Sequence, residues 1–259
     1  MSAIALQASG IRKSYTKDGR PLEILDVERF AAREGEFITI IGPSGCGKST
    51  FLHIVGGFIA PETGSIRVYG KEVSGPGPDR GMMFQEFSLF PWKSVAGNIA
   101  WGLEAQGFGK EKIDEVVARQ LAMIGLTEFR NHYPAELSGG MKQRTALARV
   151  LAFDPKVLLM DEPFGALDAQ TREQMQEELM SLWERTRKTV VFVTHDIDEA
   201  VFLADRVVVL TARPARIREE VKIDLPRPRD IAVRKSVKLL EYRNYIWDLI
   251  RSESQRADK

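Results

Sequence analysis

Nine consecutive residues, Gly42-Pro43-Ser44-Gly45-Cys46-Gly47-Lys48-Ser49-Thr50, limit what this chain can fold into more than any other stretch. They follow the pattern G-x-x-x-x-G-K-[ST]. The run before them, Glu36 to Ile41, is apolar and β-branched, as a strand buried in a parallel sheet is. The residues after them, Phe51-Leu52-His53-Ile54-Val55, continue as the first turns of a helix. Strand, glycine turn and helix together form the context in which the pattern acts as a phosphate-binding loop. Glycines let backbone N–H groups approach an anion closely, and the helix N-terminus adds its partial positive charge. Lys48 would then reach the β- and γ-phosphates, and the Ser49 hydroxyl would join a Mg²⁺ shell. A ligand-free glycine turn requires neither the lysine nor the serine, so the stretch predicts a nucleotide site.

Composition narrows the alternatives. The chain has 259 residues, of which 44% are hydrophobic and 28% charged, enough apolar material for one large domain with inserted pieces. Lys plus Arg (37) nearly cancels Asp plus Glu (36), so no overall field draws it to nucleic acid. Cys46 is the single cysteine and can form no internal disulfide, in keeping with a reducing compartment. It reads as small filler in the loop, with a redox switch as the lesser reading. The opening residues do not read as a secretory signal, and no apolar run reaches eighteen residues. Any membrane role is therefore expected to come from docking to another protein.

Taken in order, Ile4 to Tyr15 alternates like a half-buried strand, Lys17-Asp18-Gly19-Arg20-Pro21 reads as a turn, and Leu22 to Phe30 as a second strand. Pro61 to Gly64 reads as a turn feeding a strand from Ser65 to Gly70. These pieces predict a small antiparallel sheet beside the main one. From Lys110, the apolar residues Ile113, Val116, Val117, Leu121 and Ile124 fall at helical spacing, with Gly125 as the stop. Another helix is predicted from Gly139-Gly140 through Arg149. Val157 to Met160, Thr189 to Thr194 and Arg206 to Leu210 read as buried strands. Thr171-Arg172-Glu173-Gln174 resembles a capping box opening a helix, and Asp196 to Glu199 a second capped start. Strands alternating with helices predict an α/β fold with a mostly parallel core sheet.

Ligands of such sheets bind at the carboxyl ends of the strands. One predicted strand ends in the glycine loop, one in Asp161-Glu162-Pro163 and one in His195. Asp161 suits the acid that holds Mg²⁺, and Glu162 the group that orients or deprotonates an attacking water. Alone, the acidic pair would be a solvated strand end; beside the loop it reads as chemistry. His195 is either a structural histidine or a γ-phosphate contact, and Gln85 by itself is a surface amide. Leu137-Ser138-Gly139-Gly140-Met141-Lys142-Gln143-Arg144 offers a second anion site, a hydroxyl plus free N–H groups at a helix start.

In this order, residues 42–50, Gln85, Leu137–Arg144, Val157–Pro163, Ala166-Leu167-Asp168 and His195 resemble the ATP-binding subunit of ABC transporters. The resemblance covers nearly the whole chain. It implies a P-loop NTPase with a small antiparallel β subdomain and an inserted helical subdomain, and ATP and Mg²⁺ as its ligands. It further implies that Gln85 contacts Mg²⁺ or the attacking water, that Ser138, Gly139 and Gly140 form the signature, and that Asp168 is the D-loop acid. His195 becomes the switch histidine, and Tyr15 falls where such proteins stack an aromatic on adenine, a contact of roughly 0.5–1.5 kcal/mol. A strand tyrosine is the alternative for Tyr15. Lys142 stands where relatives often carry Arg.

Residues 84–99, 163–172 and the stretches Arg213-Pro214-Ala215-Arg216-Ile217 and Asp224-Leu225-Pro226-Arg227-Pro228-Arg229 are similar to the nitrate/sulfonate/taurine importer group. That likeness implies a homodimer on the cytoplasmic face of a membrane, two permease subunits and, indirectly, an external solute-binding protein. The expected organisation is one domain over 1–259. Within it, 1–87 and 146–225 form the core with the β subdomain, 88–145 the helical signature subdomain, and 226–259 a helical tail. Phe87-Ser88-Leu89-Phe90-Pro91-Trp92 is expected to line a groove for a permease helix, with ordinary core as the alternative. The mixed charges from Arg213 to Arg243 read as a solvated face. The rival functions are an exporter or lipid-trafficking ATPase and a soluble ABC ATPase. A G-protein would need an Asn-Lys-x-Asp motif, which the chain lacks.

Overall fold

The computed structural model describes residues 3–257; the remaining residues of the expected 1–259 span lie outside the described residues. Strand β1 (Ile4–Lys17) and strand β2 (Arg20–Arg33) form a long antiparallel hairpin. The strands therefore run into what the sequence suggests is a five-residue turn. Only Asp18 and Gly19 turn, with φ of 52° and 74°, the two positive values that a two-residue hairpin loop uses. Strand β3 (Phe37–Ile41) leads into helix α1 (Lys48–Gly56). Strand β4 (Thr63–Val68) returns to pair with β1, and β5 (Lys71–Glu72) completes a four-stranded sheet of order β2-β1-β4-β5.

After β6 (Arg80–Met83) come three helices, α2 (Val95–Ala105), α3 (Lys110–Met123) and α4 (Gly139–Leu151). Then β7 (Val157–Asp161), α5 (Ala169–Thr186), β8 (Thr189–Val193), α6 (Ile197–Leu203) and β9 (Arg206–Leu210) alternate. Strand β10 (Ile217–Lys222) precedes α7 (Ile231–Arg234) and α8 (Val237–Ala257). The core sheet has the order β10-β9-β3-β8-β7-β6, parallel except for β10. This is the α/β architecture of a P-loop NTPase.

Every residue of β3, β7 and β8 is buried. Alternate side chains feed different cores: Phe37 and Ile41 join residues of α5, α6 and α8, whereas Ile38 and Ile40 join α1 and the hairpin. A strand covered on both faces needs a continuous apolar run, which is why these three were legible. A third, smaller core packs Val95, Ile99 and Leu103 of α2 on Val116, Val117 and Leu121 of α3, with Ala148 of α4 beneath.

Two expectations change. Thr171 does not open a helix, because α5 begins at Ala169 with Asp168 as its cap. The Asp168 carboxylate accepts the Thr171 N–H at 3.0 Å. An ionised acceptor is well matched to the positive end of a helix, and the Thr171 hydroxyl, together with its N–H, holds the Asp168 carboxyl below its usual range. Much of the stretch from Arg213 to Arg243 is exposed as expected, but Arg227 and Arg229 are not part of a solvated face. Arg227 contacts Asp205 at 2.8 Å and lies 4.2 Å from the Trp183 ring centre. Arg229 is buried and donates to the Val201, Phe202 and Ala204 carbonyls, where α6 ends. Those carbonyls have no partner within the helix and carry its negative pole, so they suit a buried cation. Burial pulls Arg229 down to about 10, which leaves it charged at neutral pH.

Candidate nucleotide site

Neighbouring strands β3, β8 and β7 bring the glycine loop, His195 and the Asp161-Glu162 pair to one end of the sheet. In the loop, Gly45 and Gly47 hold φ of 68° and 126°. A Cβ on Gly47 would lie 2.9 Å from both Ile24 and Leu25, so the hairpin packs against the loop only because glycine is there. Gly47 starts α1 without a side-chain cap, leaving first-turn N–H groups to the loop. Lys48 is 5% exposed, and its ammonium donates to the Gly42 and Pro43 carbonyls at 3.0 and 3.1 Å, spanning the loop. Cys46 is buried, and burial pushes its thiol up, which favours filler over a reactive thiolate.

The Ser49 hydroxyl donates to Asp161 Oδ1 at 2.9 Å, and His53 Nε2 stands 3.5 Å from Asp161 Oδ2. Burial raises the Asp161 pKa, opposed by the Ser49 hydrogen bond. Sequence reasoning passed over His53, although it lies four residues after Ser49 and so on the same face of α1. A hydroxyl and a carboxylate side by side are hard oxygen donors that fit Mg²⁺, which keeps several waters. Uncapped N–H groups and a buried ammonium fit a polyphosphate. Ser49 and Asp161 would hold the cation, and the loop with Lys48 the phosphates. Bound there, Mg²⁺ supplies charge neutralisation at the phosphate oxygens.

Glu162 follows directly. Its φ of 43° is left-handed, its N–H donates to Val193 O at 2.9 Å, and its Oε2 is 2.9 Å from His195 Nδ1. The backbone kink thus swings Glu162 out of line with β7 and pairs it with the histidine at the end of β8. Gln85, just beyond β6, is exposed, and its amide nitrogen lies 4.0 Å from where a Gly165 Cβ would sit. Tyr15 is half-exposed on β1, with the Lys13 ammonium 5.7 Å from its ring centre.

The other candidates form a separate group. The Ser138 hydroxyl caps α4 by accepting the Met141 N–H at 3.3 Å. A Cβ on Gly139 would meet Leu167 at 3.3 Å, and one on Gly140 would meet Thr171 at 3.1 Å, beside Asp168. Among the described residues no hydrogen bond joins this group to Lys48, Ser49, Asp161, Glu162 or His195.

Residues 25–165 match the family described as ABC transporter. The chain belongs to the ABC transporter ATP-binding family. The nitrate import ATP-binding protein NrtD of Synechocystis sp. is 47% identical over 223 residues, covering 84% of this chain and 84% of that one. The bicarbonate transport ATP-binding protein CmpD of Synechococcus elongatus is 44% identical over 258 residues, covering 98% of this chain and 93% of that one. Among solved structures, the dimeric post-hydrolysis state of the ATP-binding cassette MJ0796, bound to ADP and Pi, aligns with a TM-score of 0.73. It is 32% identical, and the alignment covers 84% of this chain and 98% of that one. The chain is an ATPase that fits the nitrate-type importer group. Among the described residues no helix is long and apolar enough to cross a membrane.

One buried acid near the site went unnoticed in the sequence. Glu199, in the first turn of α6 after His195, is 5% exposed and accepts from Gln176 of α5 at 2.8 Å. Burial raises its pKa from 4.5 to about 7. The folded chain therefore holds this proton more tightly than the unfolded chain does. Stability from this group is greatest below pH 4.5 and declines as pH rises toward 7. Replacing Glu199 with Gln keeps the acceptor and removes the buried charge. The variant is expected to exceed the wild type by up to about 3 kcal/mol at pH 8, and the gain should vanish near pH 4.5. Urea unfolding at both pH values checks this; a pH-independent difference would contradict it.

Proposed function

We propose that this ATPase drives import of a small anion, of the nitrate, bicarbonate or sulfonate kind, from the cytoplasmic face of a membrane. It would act as a pair of subunits docked on two permease subunits, with an external solute-binding protein delivering the anion. In this reading the loop N–H groups and Lys48 hold the ATP phosphates. Glu162 takes the proton of the attacking water, and His195 and Gln85 sense the γ-phosphate end. The two anion-importer relatives support the substrate class.

The observation that carries the coupling to a permease is an apolar cavity of about 620 Å³ beside the Gln85 loop. Phe58, Phe84, Phe90, Trp101 and Phe153 line it. Of the segment expected to form the groove, Ser88 and Phe90 reach the cavity, whereas Phe87 and Leu89 pack on the main core. Trp92 is exposed, its ring centre 5.7 Å from that of Phe90. The groove thus draws most of its apolar wall from residues distant in sequence, notably the half-exposed Trp101 of α2. Exposed aromatics clustered in one cleft mark a docking site.

The test is Trp101→Glu. Hydrolysis by the purified chain should stay near wild type, while cells relying on the variant should lose uptake of labelled nitrate, bicarbonate or sulfonate. Wild-type uptake of all three anions by the variant would refute the docking site. Wild-type uptake by cells carrying Lys48→Ala would refute the transport role itself.

A further inference from the structure

The loop after β9 reaches the phosphate loop from behind. Arg213 Nε donates to the Gly45 carbonyl at 2.7 Å, and a Cβ on Gly45 would lie 2.8 Å from Arg213 Nη2. The guanidinium therefore lies against the face of the glycine at the turn of the phosphate loop, where the backbone φ is 68°. Glycine adopts this positive φ without strain and leaves room for the planar donor.

The arginine's own loop is held in place. Thr211 N–H donates to Arg216 O at 2.9 Å, and Arg216 N–H donates to Thr211 Oγ1 at 3.0 Å. Ala215 is bound on both sides to the hairpin, through its N–H to Ile24 O at 2.8 Å and its carbonyl to the Asp26 N–H at 3.1 Å. Leu25, between them, packs at the site where a Gly47 Cβ would sit. At the start of this loop, Leu210 lies 3.1 Å from where a Gly42 Cβ would be. The segment thus touches the phosphate loop at Gly42 and Gly45, and its anchor strand touches it at Gly47.

We propose that Arg213 is a positioning residue for ATP binding, fixing the Gly45 peptide by its carbonyl so that the loop is formed before the phosphates arrive. A peptide plane held at its oxygen is also fixed at its nitrogen side, because the bond is planar. Hydrogen bonds from an ionised donor are stronger and more directional than neutral ones. Its side-chain hydrogen bond is to the loop backbone, so its effect passes through that backbone. The inference depends on residues 42–50 being the phosphate site and is independent of the transported solute.

The experiment compares the full chain with Arg213→Met and Arg213→Lys. Direct titration with ATP and ADP in the presence of Mg²⁺ gives affinity, steady-state hydrolysis separates KM from kcat, and hydrogen exchange reports the loop amides. Arg213→Met should weaken ATP and ADP binding about tenfold and raise KM alike, with kcat retained at saturating ATP. Exchange at residues 42–47 should quicken before nucleotide is added. Arg213→Lys keeps the charge without the planar fork and should fall between the two. A purely stabilising residue would instead lower the melting temperature and leave nucleotide affinity unchanged, which overturns the proposal. Wild-type affinity in both variants overturns it as well. Loss of nucleotide binding in Lys48→Ala, measured alongside, tests the phosphate-site assignment separately.

Discussion

Replacing Glu162 with Gln is expected to cut steady-state turnover by roughly 10²–10⁴-fold while leaving ATP binding intact. The substitution preserves size and the backbone link from the Glu162 N–H to Val193 O, so β7 and β8 stay joined. What it removes is a carboxylate 2.9 Å from His195 Nδ1 and one residue from Asp161. The two acids differ in surroundings: Asp161 is buried on Ser49 and suits cation binding, whereas Glu162 is only partly buried beside His195 and can receive a proton from water. Phosphate release and ATP affinity measured on the same preparation separate the roles. Undiminished turnover would remove Glu162 as the base, and lost ATP binding would make it a binding residue. A fall in His195→Ala as large as that in Glu162→Gln would mean that the acid and the histidine act as one unit.

What the sequence revealed and what it hid divide along a physical line. The glycine loop, β3, β7 and β8 were legible because each requirement is local: glycine where φ is positive, and unbroken apolar residues where both faces are covered. Helix α2 was missed as an element, although Ser94 caps it by accepting the Gly97 N–H at 3.2 Å and Val95, Ile99 and Leu103 share one face. Its stripe is short and interrupted by glycines, so its periodicity is weak. The start of α5 was misplaced because a hydroxyl-plus-acid pattern at Thr171 competes with a carboxylate three residues earlier. Partners remote in sequence were invisible: His53 on Asp161, Gln176 on Glu199, and Arg229 on the end of α6. Charge counting treats that arginine as solvated, and only the fold shows that it caps carbonyls.

Mixing two inactive subunits, Lys48→Ala and Ser138→Arg, is expected to restore part of the ATPase activity. The reason lies in the two groups of site residues. One holds Lys48, Ser49, Asp161, Glu162 and His195, and the other holds Ser138, Gly139 and Gly140 against Leu167 and Thr171, with no described hydrogen bond between them. Both have helix-start N–H groups suited to phosphate. If a second copy contributes its Ser138 group to this chain's Lys48 group, each dimer has two composite sites, with Asp168 near the seam. A mixed dimer then carries one intact site and one doubly damaged site. ATP at a hundred times its Kd shifts such an association by about 2.7 kcal/mol for each composite site it fills, when it binds only the closed pair. Activity per subunit at saturating ATP should therefore fall as the wild type is diluted through its dimer dissociation range. The measurement is rate against subunit concentration, with sedimentation marking where the dimer dissociates. Constant specific activity well below that concentration would mean that each subunit hydrolyses ATP alone, and the shared-site arrangement would be wrong.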